Sequence, residues 1–114
     1  MSNLEPLTTS VRLTVTNPNT ESTSAFGPGV AQLCLGVRET GSLNASAKSM
    51  RMAYSKAWRI VRDTEAALGV QLLDRDGAHG STLTADGNRI LDAYFTIQET
   101  LAEQAQKLFR ELTA

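Results

Sequence analysis

The sequence has one cysteine, one histidine and one tryptophan among 114 residues. A lone Cys34 rules out an internal disulfide, and with only His79 beside it no zinc set can be assembled. A single histidine placed in a glycine-flanked turn also leaves no Ser/His/Asp constellation, and no phosphate-binding glycine pattern occurs, so no enzyme is expected and no cofactor is implied. No apolar run approaches the roughly 20 residues that span a bilayer, so no membrane partner is expected. The opening Met1-Ser2-Asn3-Leu4-Glu5 has neither a basic nor an apolar signal region, and a cytoplasmic location follows as the default expectation.

Net charge of one sign is also lacking. Eleven Lys and Arg against twelve Asp and Glu leave −1, with a pI of about 5.8. The charges are nevertheless segregated. From Ser42 to Arg62 the charged residues are Lys48, Arg51, Lys56, Arg59 and Arg62, with no acid among them. A basic segment on a near-neutral chain suits focused contact with phosphates, although a solvated helix surface has the same composition.

The first 27 residues are rich in Ser, Thr, Asn and Pro and read as a flexible arm. One stretch within them, residues 11–16 (Val-Arg-Leu-Thr-Val-Thr), alternates apolar and polar and is β-branched, which predicts a short strand. Pro28 suits a first helical turn, Val30, Leu33 and Val37 recur near helical spacing, and Gly41 sits where a helix stops, so a helix is expected over about 28–40. Ser42 or Asn44 can cap a second, short helix of small residues. Arg51-Met52-Ala53 reads as a turn, and a longer helix is expected from about Tyr54 to Leu68, ending at Gly69.

That longer helix has two faces. Ala57, Val61, Thr64 and Leu68 form a stripe for burial, whereas Ser55, Arg59 and Arg62 line the other side with Lys56 adjacent. Tyr54 and Trp58 flank the buried stripe. The angular position of Trp58 favours packing over stacking on a base, and Cys34, between core positions, favours a buried inert thiol. A short helix, a tight turn and a helix with an apolar back and a basic front predict a helix-turn-helix. Residues 70–75 and 81–83, around the glycine-flanked turn at 76–80, predict a hairpin wing. Thr84 is placed to cap a long last helix whose apolar positions, Ile90, Leu91, Tyr94, Ile97, Leu101, Ala105, Leu108 and Leu112, run for about 40 Å at 1.5 Å per residue. Such a stripe outruns a core this small. It is expected to meet the same helix of a second copy through Ile90, Tyr94, Ile97, Leu101 and Leu108, the alternative being a bundle within one chain.

The string Gly41-Ser42-Leu43, Ala47, Met50, Tyr54, Ala57-Trp58, Leu72-Leu73-Asp74-Arg75 and Leu83-Thr84-Ala85-Asp86-Gly87 resembles the N-terminal DNA-binding domain of the molybdate-responsive ModE-type regulators, itself related to the LysR-type winged helix. The resemblance covers about residues 28–112 and implies DNA binding and dimerisation. It departs from the family pattern at Ala53, where the family has Ser, at the displaced Lys56, in the short wing Gly77-Ala78-His79-Gly80, and at Arg51, where the family has a turn glycine. The family's molybdate-binding domains have no counterpart, so molybdate sensing is not implied.

The expected architecture is mainly α with a small β-hairpin: an arm (1–27), a winged helix-turn-helix (28–84) and a linker and dimerisation helix (85–114). Tyr54, Ser55, Lys56 and Arg59 are the expected base readers of double-stranded DNA. Arg62, Lys48, Arg51 and the N–H groups near Ser42 and Asn44 are expected on phosphates, with His79 and Ser81 on the wing. The expected function is a homodimeric, sequence-specific transcriptional regulator. The alternative keeps the fold as a protein-interaction module or an accessory subunit of another regulator. Nothing in the sequence marks a pocket for a small-molecule effector.

Overall fold

A computed structural model describes residues 3–75 and 80–114. Its elements follow the order α1 (Pro28–Thr40), α2 (Leu43–Ser49), α3 (Tyr54–Leu68), β1 (Leu73–Arg75), β2 (Ser81–Leu83) and α4 (Ala85–Leu112). This is the expected mainly helical winged helix-turn-helix with a long last helix.

Helix boundaries are set by local chemistry. Pro28 opens α1, and Gly41 and Gly69, both left-handed, close α1 and α3. Of the two candidate caps for α2, Ser42 serves: its Oγ accepts from Ala45 N at 3.0 Å. Thr84 caps α4 by accepting from Gly87 N at 2.9 Å. Each such cap satisfies a backbone donor that the helix itself leaves orphaned, a contribution of about 1 kcal/mol.

The core lies where α1, α2 and α3 meet the root of the hairpin and the first turns of α4. Leu33, Val37, Leu43, Ala57, Val61, Leu72 and Leu91 are fully buried in it, each apolar side chain of Val or Leu size contributing roughly 1.5–3 kcal/mol. Ala57, Val61, Thr64 and Leu68 form the inward stripe of α3, as their spacing predicts. Arg38 ties α1 to α4 from outside, bridging to Asp92 at 2.8 Å and donating to Asn88 Oδ1 at 3.1 Å.

β1 and β2 pair antiparallel with Leu73 opposite Leu83 and Arg75 opposite Ser81. The first strand starts later than residue 70, because Glu65 intercepts the backbone there: its Oε2 accepts from Leu72 N at 2.7 Å and Leu73 N at 3.2 Å. A carboxylate on α3 therefore fixes where the wing leaves the core.

The arm departs from expectation. Residues 11–16 keep their alternation, with Val11, Leu13 and Val15 turned in, yet among the described residues their only backbone pairing is an isolated bridge between Val15 and Phe26. The rest of the segment pairs with side chains of α4. Tyr94 OH donates to Leu13 O at 2.9 Å, Gln98 bonds Val11 and Leu13, and Gln106 bonds Leu7 and Thr9. Over its described residues the arm is thus a seated element. Its Phe26 is fully buried and meets the Tyr94 ring edge-on at 5.3 Å.

Candidate nucleic-acid interface

The outward side of α3 carries the basic residues that the sequence places there. Ser55, Lys56, Arg59 and Arg62 are all exposed, and Tyr54 is 40% exposed at the first turn. The axis opposite the buried stripe passes through Ser55 and Arg59, with Asp63 beside Arg59. Ser55 and Arg59 thus lie centrally and Lys56 and Arg62 on either flank.

Three side chains form a ladder that periodicity alone did not predict. Tyr54 meets Trp58 edge-on at 6.3 Å, and the Arg62 guanidinium lies 5.6 Å from the centre of the Trp58 ring. They are spaced i, i+4, i+8, so they stack along one flank of α3. Trp58 is packed against the core cluster as expected, but it is only half-buried, and its outer face is a seat for Arg62. A cation held over an indole keeps its charge and gives up rotamer freedom before any ligand arrives.

The turn before α3 is strained. Arg51 has φ +55, the only positive value among described non-glycine residues. Arg51 N donates to Lys48 O at 3.0 Å and Met52 N to Ala47 O at 2.9 Å, so Arg51 occupies the left-handed position of a Schellman cap, where glycine carries no Cβ penalty. Arg51, Lys48 and Asn44 are exposed. Ser42 is half-buried, with its hydroxyl engaged in capping α2.

Two expected contacts stand differently. His79 lies outside the described residues. Ser81 is 5% exposed, and what it offers is backbone: Ser81 N donates to Gly41 O at 3.0 Å. A Cβ on Gly80, whose φ is +128, would lie 2.2 Å from the same carbonyl. The wing is therefore stitched to the α1–α2 turn at its root, and Ser81, buried there, does not present its side chain at the surface.

The far end of α3 is held by residues that sequence reasoning passed over. Asn17 Nδ2 donates to Leu68 O at 2.8 Å and Thr20 Oγ1 to Ala67 O at 2.6 Å. The Asn17-Pro18-Asn19 turn signal was visible, but not the helix end that it caps.

On α4, the expected dimer residues divide. Ile97, Leu101 and Leu108 are 44%, 41% and 49% exposed, and Leu112, further along the same stripe, is 82% exposed. Ile90 is half-buried against the core. Tyr94 is only 3% exposed, committed to Phe26 and Leu13 of its own chain, so it is a core residue and not part of a free face. Among the described residues no group of metal-ligating side chains occurs, and no helix is long and apolar enough to cross a membrane.

Comparison with known proteins agrees with this geometry. No curated protein sequence is similar enough to the chain to match it. The chain is similar to a solved complex of the CbnR DNA-binding domain with DNA, with 30% identity and a TM-score of 0.61 over 75% of this chain and 97% of that one. It is also similar to CbnR itself, a LysR family transcriptional regulator, at 32% identity and a TM-score of 0.57, covering 72% of this chain and 28% of that longer one. The narrower resemblance to molybdate-responsive regulators finds no support in these matches. Residues 31–88 match the model of bacterial regulatory helix-turn-helix proteins of the lysR family, and the chain belongs to that family.

Proposed function

We propose that the chain is a sequence-specific, double-stranded-DNA-binding transcriptional regulator that acts as a homodimer. The observation that carries this reading is the exposed face of α3: Ser55, Lys56, Arg59 and Arg62 point away from the core, with Lys48 exposed at the end of α2 and Arg51 on the turn that follows. The likeness to a domain solved in complex with DNA supports it. Arg59, at the centre of the face, is assigned to a base edge, with Ser55, Lys56 and Tyr54 beside it. Arg62, Lys48, Arg51 and Asn44 are assigned to phosphates.

The homodimer rests on the pattern of the exposed α4 stripe. Ile97, Leu101, Leu108 and Leu112 are spaced 4, 7 and 4, a palindrome about the point between Gln104 and Ala105. Two copies laid antiparallel about that point put Leu101 of one opposite Leu108 of the other, and Ile97 opposite Leu112. A self-complementary patch of this kind is what a two-fold contact demands. In such a dimer the two recognition helices would enter major grooves about 34–36 Å, or a multiple, apart.

The test is a titration of the purified protein against a random duplex library over a range of salt. Phosphate-driven binding falls steeply, with a log–log slope near −0.9 for each phosphate contacted. Enrichment of one pseudo-palindromic sequence with such a slope supports the reading. No duplex binding at low salt would overturn it and favour a winged helix that binds protein partners instead.

A further inference from the structure

Beyond Tyr94, no residue of α4 is fully buried, and residues 96–112 extend for about 25 Å past the core. A helix anchored only at its base is a lever: small changes of tilt at the root become large displacements at the tip. Yet the tip carries the stripe that would join two copies. The relation between the DNA-reading face and the dimer axis therefore depends on what holds α4 along its length.

The arm holds it, and in a specific way. Gln98 Nε2 donates to Val11 O at 2.6 Å while its Oε1 accepts from Leu13 N at 2.9 Å. Two helical turns further on, Gln106 Nε2 donates to Leu7 O at 3.3 Å while its Oε1 accepts from Thr9 N at 2.7 Å. Each carboxamide takes the carbonyl of one arm residue and the N–H of the residue two further on, the pattern that a neighbouring strand would offer with its own backbone. Two such seats, eight residues apart on α4, accept an extended chain in a single register. The root of the arm is fixed in turn: Val15 and Phe26 exchange both backbone bonds at 2.9 Å, beside the start of α1. Gln106 lies on the side of α4 away from Leu108 and Leu112, so the arm leaves the distal stripe open to a second copy.

We infer that residues 7–15 are a brace, and that Gln98 and Gln106 are positioning residues that set the spacing between the half-sites the dimer accepts. The inference rests on the reading of the chain as a DNA-binding dimer. The brace links the core, at Phe26, to the far half of α4, at Gln106, and so fixes the angle between each reading helix and the two-fold axis. Its anchors are Tyr94, Gln98 and Gln106 on α4 and the backbone of Phe26, so it acts on spacing and not on recognition of one half-site.

The experiment uses the full chain and duplexes carrying two copies of the half-site recovered from library selection, with centre-to-centre distance varied in single-base steps over one helical turn. The wild-type protein is expected to show a sharp optimum, with affinity falling at least about tenfold half a turn away. The Gln98→Ala/Gln106→Ala variant is expected to flatten that profile to less than about threefold. Its affinity for a single half-site and its dimeric state by sedimentation are expected to stay within about twofold of wild type. Thr9→Pro, which removes the N–H donor to Gln106 from the arm side, is expected to act in the same direction. An unchanged spacing profile in both variants overturns the inference. So does parallel loss of single-half-site affinity in both, which would make the arm a plain folding element. Failure of the wild-type chain to bind any duplex overturns the DNA reading first, and is distinguished from the other outcomes by that fact.

Discussion

A Cβ placed on Gly36 of α1 would lie 2.1 Å from Oγ of Ser46 on α2. The same Oγ donates to Leu33 O at 2.8 Å in a buried setting. The two helices thus cross with backbone nearly in contact, and the hydroxyl that enters the gap is satisfied there, as a buried polar group must be.

Gly36→Ala is therefore expected to destabilise the fold by about 3 kcal/mol, since Ser46 Cβ and Cα are also too close for the neighbour simply to rotate aside. Urea unfolding measures the loss. The double variant Gly36→Ala/Ser46→Gly, which clears the gap, should recover part of it; if it is no better than the single variant, the clash at this crossing is not the cause.

Arg51→Gly should move stability and DNA affinity in opposite directions. Relieving the positive φ should raise stability by up to about 1 kcal/mol. Losing the cation should lower affinity and reduce the salt slope by about 0.9, one phosphate contact. A salt slope equal to wild type would take Arg51 off the DNA.

Arg59→Ala and Arg62→Ala should differ in kind. The first should cost about 1–3 kcal/mol on the selected site and relax base preference. The second should weaken all duplexes about equally. Trp58→Leu should mimic part of Arg62→Ala, because the indole that seats the guanidinium is gone. In a double-mutant cycle the Trp58 and Arg62 effects should not add; additive effects would leave Trp58 with packing alone.

Cys34 should make the protein sensitive to alkali. Burial, reinforced by Glu65 and opposed by Arg38, pushes its thiol from 9.0 up to about 12. The unfolded chain then releases this proton from about pH 9, whereas the folded chain keeps it until about pH 12. The unfolded state therefore binds fewer protons in that window, and stability falls as pH rises, by at most about 1.4 kcal/mol per pH unit. Tyr94, raised chiefly by burial and lowered by Arg12, adds a slope of the same sign above about pH 10. Thermal unfolding between about pH 8.5 and pH 10 should show the decline in wild type and lose it in Cys34→Ala; an equal decline in both would assign it elsewhere.

Much of the exposed basic face of α3 was legible in the sequence. The stripe Ala57, Val61, Thr64 and Leu68 dictates which side of α3 is buried, and Ser55, Arg59 and Arg62 follow on the other side because a helix repeats every 3.6 residues. Gly41, Ser42, Gly69 and Thr84 mark helix ends through bonds to their near neighbours. Ser81 illustrates what that reasoning misses. In sequence it is a polar residue of a wing, and only the approach of the α1–α2 turn, forty residues away, buries it.

The chain by itself determined its helices, their caps and the two-sided character of α3 and α4, because periodicity and capping are decided within a few residues. Tertiary structure alone decided that Tyr94 belongs to the core and that the arm lies along α4 on Gln98 and Gln106. The physical reason is range. A glutamine side chain offers the same donor and acceptor anywhere in a sequence, and which backbone it meets depends on bringing together residues 85 to 99 positions apart.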